Sequence, residues 1–172
     1  MKESQHAAKR SMKTLYLLRH AKSGWHDASL RDHDRPLEPR GERDAAKMGQ
    51  RWSHQHVKPE LIIASSAVRT QATAQIVADE LAYKAHDILT NERLYAATPE
   101  TLLAVIEALD DSLNRVMLVA HNPGLTGLAH HFDRKISDMP TCALVEFKFD
   151  ADSWAGIGQA RPLHTHTDSP KD

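Results

Sequence analysis

The sequence predicts an α/β fold, a three-layer αβα sandwich whose mostly parallel sheet carries helices on both faces and an antiparallel edge strand or hairpin. Three observations predict it. Short apolar runs, TLYLL at 14–18, LIIA at 61–64 and VMLVA at 116–120, have the length and character of strands buried on both sides. Stretches with apolar residues at helical spacing lie between them, and strands alternating with helices imply a parallel sheet covered on both faces. The closing segment 142–149, CALVEFKF, alternates apolar and polar residues from Leu144 onward, as a half-exposed strand does.

The elements follow in order. After the first strand and a polar stretch, Pro39 and Gly41 precede a segment with Ala45, Met48, Gly49 and Trp52 on one helical face. After the second strand, 67–83 reads as a helix with Ala74, Val77, Ala78 and Leu81 together. Ile88 and Leu89 mark a weaker third strand. Thr98 caps the next helix, with Pro99 at its first position. Leu102, Leu103, Ile106 and Leu109 supply its apolar stripe. The strand at 116–120 comes next, and a short helix is expected after Pro123. Residues 154–160 are expected to pair with the closing strand as a hairpin. Residues 1–12 read as a loose polar tail, 13–163 as one domain and 164–172 as a frayed C-terminal tail.

Composition narrows the function classes. A chain of 172 residues holds one core and a cleft, with no room for a separate cofactor domain. The formal net charge of -1 gives no global basic field for nucleic acid, so attraction for an anion must be local. Cys142, the single cysteine, excludes an internal disulfide and any multi-cysteine metal site, and suits a reducing cytoplasm. No apolar run reaches the length of a membrane span, and the first residues lack the apolar stretch of a secretory signal. Neither nucleic acid nor membrane is an expected partner.

The reactive residues share one placement. Arg19 and His20 follow the first strand, Ser65 and Arg69 the second, Glu92 the weak third, and His121 the fourth. All lie just beyond the carboxyl ends of strands, where open α/β sheets bind ligands. Two arginines and two histidines, with no ligand-type acids, describe an anion site, because guanidinium forks match phosphate oxygens and keep their charge. A neutral imidazole can attack phosphorus and carry it covalently. A second, protonated imidazole can then donate to the transferring group. Arg69 near a helix start opposes the helix dipole, a conflict that an anion bound there would resolve.

These residues also carry a resemblance. LLRHAKSGW at 17–25 resembles the Arg-His-Gly signature of the histidine phosphatase superfamily, or phosphoglycerate mutase-like family, and the chain is similar to its small SixA-type phosphohistidine phosphatase branch. DRPLEPRGERDAAKMG at 34–49, ASSAVRTQATA at 64–74, RLYAATPETLL at 93–103 and VAHNPGL at 119–125 support it in order. The resemblance implies a phosphoglycerate mutase-like fold and His20 as the nucleophile. It makes Arg19 and Arg69 the phosphate-binding arginines, and His121 the second histidine of the pocket. Ser23 falls where many members place a hydroxyl near the phosphate. His26 stands where mutase-like members have a phosphate-contacting asparagine. Ala21 replaces the signature glycine, and Ser66 a usual proline. Members that cleave alcohol phosphates use a carboxylic acid. Glu92 is the candidate here, with Asp27, Asp32 and Asp34 as others on a loop that is either solvated or substrate-facing.

The expected activity is metal-independent phosphatase chemistry with no cofactor: hydrolysis of protein-bound phosphohistidine through phospho-His20, releasing inorganic phosphate. The expected partner is a phosphorylated histidine phosphotransfer or carrier protein. The alternatives are a phosphomonoesterase for a small metabolite such as a sugar phosphate or nucleotide, and, more remotely, a non-catalytic phosphate-binding module. A nitrogen leaving group is readily protonated and needs less acid help than an alkoxide, which favours the first. Only residues 95–98 separate Leu94 from the next helix start, too few for a lid, so the site is expected to be open. The histidine pairs at 54 and 56, 130 and 131, and 164 and 166 are scattered and lack completing acids, so no metal site is expected.

Overall fold

The computed structural model describes residues 12–171. Six strands form one sheet in the order β3-β2-β4-β1-β5-β6. These are β1 (Met12–Arg19), β2 (Leu61–Ala64), β3 (Leu89–Thr90), β4 (Arg115–Ala120), β5 (Leu144–Asp150) and β6 (His164–Asp168). β1, β2, β3 and β4 run parallel; β5 pairs antiparallel with β1, and β6 pairs antiparallel with β5. The helices are α1 (Pro39–His54), α2 (Val68–Glu80), α3 (Pro99–Glu107) and α4 (Gly124–Phe132).

Alternation along the strands explains why they are apolar on both sides. In β1, Leu15 and Leu17 join Leu118 of β4 in a core with Leu102 of α3 and Leu125 of α4. Tyr16 and Leu18 face the opposite way and pack with Met48 and Trp52 of α1 and Val77 of α2. The expected three-layer sandwich is what forms.

The C-terminal part departs from expectation. Residues 154–160 do not make a strand; they turn through a 3-10 helix, Ile157–Gln159, and Trp154 is fully buried, donating its indole N–H to the Leu113 carbonyl at 2.8 Å. The strand beside β5 is β6, from the segment expected as a frayed tail, with Leu144 opposite Asp168 and Lys148 opposite His164. The HTHTD run carries no apolar signal because it lies at the sheet edge. Asp168 fastens it by accepting from Arg51 Nη1 at 2.6 Å and from Trp52 Nε1 at 3.0 Å. At the other end Met12, expected in a tail, begins β1; residues 1–11 lie outside the described residues.

α1 is docked against the turn that follows β1. Glu38 N–H donates to the Lys22 carbonyl at 2.9 Å, and a side chain at Gly41 would collide with that same carbonyl. The close approach holds residues 20–24 against the helix start.

Candidate active site

His20 leaves β1 still clamped by backbone bonds. Its N–H donates to the Ala120 carbonyl at 3.2 Å, and its carbonyl accepts from Cys142 N–H at 3.0 Å. The imidazole is buried, and Nδ1–H donates to the Ala21 carbonyl at 2.8 Å. A carbonyl only accepts, so the proton sits on Nδ1 and the lone pair on Nε2. Burial first, then the charges of Arg69, Arg19 and Arg35, push the ring down to about 4 against the opposing effect of the Ala21 bond. At neutral pH His20 is an uncharged imidazole with its lone pair on Nε2.

His121 leaves β4 on the neighbouring strand, and the two imidazole centroids lie 5.4 Å apart. Its Nε2 is 2.7 Å from Ser65 Oγ at the end of β2, and its Nδ1 is buried without a protein partner. Burial and the Arg69 charge push it down to about 3. The Tyr95 ring meets it edge-on at 5.4 Å.

Arginines surround the pair. Arg19 Nη1 donates to the Met139 carbonyl at 3.1 Å, and burial lowers its pKa. Arg69, near the start of α2, gives both terminal nitrogens to Asp32: Nη1 to its carbonyl at 2.7 Å and Nη2 to its carboxylate at 3.0 Å. The conflict of Arg69 with the helix dipole is therefore met within the protein by Asp32. Arg19 Nε and Arg69 Nε are, like His121 Nδ1, buried without a protein partner. An unsatisfied buried donor costs about 1–3 kcal/mol, and a bound anion satisfies it.

A third arginine completes the ring. Arg35 is buried; Nη1 donates to Ser23 Oγ at 2.8 Å, and Nε and Nη2 donate to Asp32 Oδ1 at 3.1 and 3.0 Å. Its guanidinium carbon stacks 3.7 Å from the Trp25 ring centroid. Asp32 also accepts from Tyr95 Oη at 2.6 Å, and this bond first, with those from Arg69 and Arg35, holds the carboxyl far below the usual carboxylate range.

Apart from Ser65, these side chains line one open cavity of about 380 Å³ at the carboxyl ends of the parallel strands. That volume suits a small ligand or a phosphorylated side chain. Arg19, Lys22, Arg35 and Arg69 face it against the single carboxylate of Asp32, so a chain of net charge -1 concentrates positive charge at one place. Of the residues named from sequence, Arg19, His20, Ser23, Asp32, Arg69 and His121 line the cavity, while Ser65, Glu92, His26, Asp27 and Asp34 do not. Glu92 is exposed on the 3-10 turn Glu92–Leu94, and Tyr95, the next residue beyond that turn, reaches the site instead. His26 points outward, with Nε2 3.6 Å from Glu38. Arg35, Trp25, Tyr95 and Lys22 were not singled out by sequence. Arg35 and Trp25 lie within the quoted segments, but their pairing across ten residues of loop leaves no periodic signal.

Among the described residues no three His, Cys, Asp or Glu side chains gather as metal ligands do, and no helix is long and apolar enough to cross a membrane.

The sequence profile of the histidine phosphatase superfamily (branch 1) matches residues 15–95. An uncharacterized chloroplastic protein of Arabidopsis thaliana is 34% identical over 148 residues, 81% of this chain and 68% of that protein. The crystal structure of the candidate phosphohistidine phosphatase SixA from Agrobacterium tumefaciens superposes with a TM-score of 0.76 at 27% identity, covering 90% of this chain and 97% of that one. A mycobacterial glucosyl-3-phosphoglycerate phosphatase shares the fold alone, with a TM-score of 0.64 at 15% identity over 91% of this chain and 97% of that one. The Arg19-His20 pair at the end of β1, the matching sequence profile and the shared fold agree: the chain belongs to the histidine phosphatase superfamily.

Proposed function

We propose that this protein is a phosphohistidine phosphatase that works without a metal ion. The phosphoryl group lies between the arginines, with its oxygens on Arg19 Nε, Arg69 Nε, Ser23 and His121. His20 Nε2 attacks phosphorus in line, the bond to the leaving nitrogen breaks, and phospho-His20 forms. Water then attacks phosphorus, the N–P bond breaks with its electron pair returning to Nε2, and dihydrogen phosphate departs with both of the water's protons. The Ala21 carbonyl keeps the attacking nitrogen correctly turned through both steps. A dianion between the two imidazoles raises the proton affinity of His121, which then donates to the transferring group.

The state of Asp32 carries the choice of substrate. It is the one carboxyl among the described residues that line the cavity, and donors from three residues, Arg35, Arg69 and Tyr95, keep it ionised. An ionised carboxylate does not protonate an alkoxide, so the site suits a nitrogen leaving group. The similarity to a candidate SixA phosphohistidine phosphatase supports the same reading. An open cavity admits a histidine presented by a phosphotransfer or carrier protein, and the free, buried Cys142 fits a reducing cytoplasm. The test compares kcat/KM on a histidine-phosphorylated protein with kcat/KM on a panel of sugar phosphates and nucleotides, with and without chelator. Preference for the phosphoprotein, unchanged by chelator, is expected. Preference for an ester, or loss on chelation, contradicts the proposal.

A further inference from the structure

We propose that Trp25 is a specificity-determining residue whose open face receives the imidazole of the substrate's phosphohistidine; this rests on the reading of function above. Large aromatic side chains scattered singly on a surface need no explanation. Trp25 differs in two respects. It lines the phosphate cavity, and it is held in place, although the residue is 69% exposed. The Arg35 guanidinium occupies one face at 3.7 Å from the centroid, so the exposed area belongs to the remainder of the ring.

The support beneath the ring is continuous with the phosphate site. Arg35 donates to Ser23 Oγ at 2.8 Å, and Ser23 lines the same cavity. One guanidinium thus has a phosphate-site hydroxyl at its edge and an aromatic platform on its face. The Asp32 carboxylate at 3.0 Å offsets the Arg35 charge, so the indole π-face is not made repellent to a second cation. Such a platform fits a flat, heteroaromatic leaving group, and its attraction is greatest for a cationic one.

This matters because the described residues that line the cavity offer no acidic carboxyl. A phosphohistidine protonated on the ring nitrogen that does not carry phosphorus is a phosphoimidazolium. When His20 Nε2 forms its bond to phosphorus, the old N–P bond breaks and its electron pair stays on the leaving nitrogen. The substrate ring departs as neutral imidazole, and no proton moves to the bridging nitrogen. The positive charge passes to phospho-His20, which keeps Nδ1–H on the Ala21 carbonyl. Trp25, by favouring the protonated ring on the enzyme, takes the place of a general acid.

The experiment measures kcat/KM of wild type, Trp25→Ala and Trp25→Phe on a phosphohistidine peptide and on phosphoramidate, which has the same N–P bond but no ring. Thermal unfolding is followed in parallel. Aromatic stacking and cation–π contacts of this kind predict that Trp25→Ala loses about tenfold on the peptide and under about threefold on phosphoramidate. Trp25→Phe should restore most of the peptide activity. Equal losses on both substrates would reduce Trp25 to a support for Arg35 and overturn the proposal, as would no loss on the peptide. A wild-type enzyme inactive on the peptide but active on esters fails the reading of function itself, and it shows this before any variant is made.

Discussion

The carboxylate of Asp32 lies 3.0 Å from Arg69 Nη2, while the Asp32 carbonyl accepts from Nη1 of the same guanidinium at 2.7 Å. Arg69 is therefore aimed by a loop residue thirty-seven positions earlier, and the loop is aimed by Arg69 in return. Replacing Asp32 by Asn removes the charge that holds Arg69, Arg35 and Tyr95 together. We expect kcat/KM on phosphohistidine to fall about tenfold, the scale of a lost charge-assisted bond in a partly exposed network. Unchanged activity would show that the arginines align without it.

Glu92→Gln should leave turnover within about twofold on phosphohistidine and phosphoester alike, since Glu92 is exposed and does not line the cavity. A large loss confined to esters would make Glu92 the acid for that chemistry.

Arg35→Lys keeps a positive charge but loses the fork that joins Ser23, Asp32 and Trp25. Arg and Lys are not interchangeable at such a site, and a loss of about 10²-fold in kcat/KM is expected. The measurement is steady-state turnover with phosphate inhibition followed alongside. Near-wild-type turnover would mean that charge alone suffices.

His20 and His121 should titrate at about 4 and about 3, below an unfolded value of 6.5, in both cases chiefly because they are buried. As pH falls below about 6.5 the unfolded chain takes up protons that the folded chain refuses, so stability declines until the folded values are reached. His20→Ala should flatten this decline between about pH 6.5 and 4 by up to about 3 kcal/mol. Nitrogen-15 spectra of the imidazoles check the titrations directly, and a His20 midpoint near 6.5 would contradict the lowering by burial.

Asp168→Ala removes the carboxylate that accepts from Arg51 Nη1 and Trp52 Nε1, and loosens β6. A loss of about 2–4 kcal/mol is expected in urea unfolding, with kcat of the folded fraction unchanged because β6 is at the far edge of the sheet from β2 and β3.

The legible parts of this protein are those whose signal is local. TLYLL, LIIA and VMLVA announce buried strands because both faces of β1, β2 and β4 are covered, and Thr98-Pro99 announces α3 because capping is a short-range effect. Arg19, His20 and His121 are visible because they sit directly after such strands. β6 is not legible: its alternate Thr and His residues bury little, and Asp168 ties it to Arg51 and Trp52 of a helix more than a hundred residues earlier. The Asp32–Arg35–Arg69–Tyr95 network is not legible either: Asp32 and Arg35 pair locally at one 3-10 turn, but Arg69 and Tyr95 reach Asp32 from 37 and 63 positions away, with no periodicity to announce them. Glu92 attracted attention by following a strand, yet the chain turns and presents Tyr95 instead.

The central claim is that His20 Nε2 carries the phosphoryl group. The most direct measurement is rapid mixing with radiolabelled phosphohistidine substrate, quenching in base, and mapping of the labelled residue. The account predicts acid-labile label on His20, and neither label nor phosphate release in a folded His20→Ala variant. Label on His121, or phosphate release at the normal rate from His20→Ala, would contradict it.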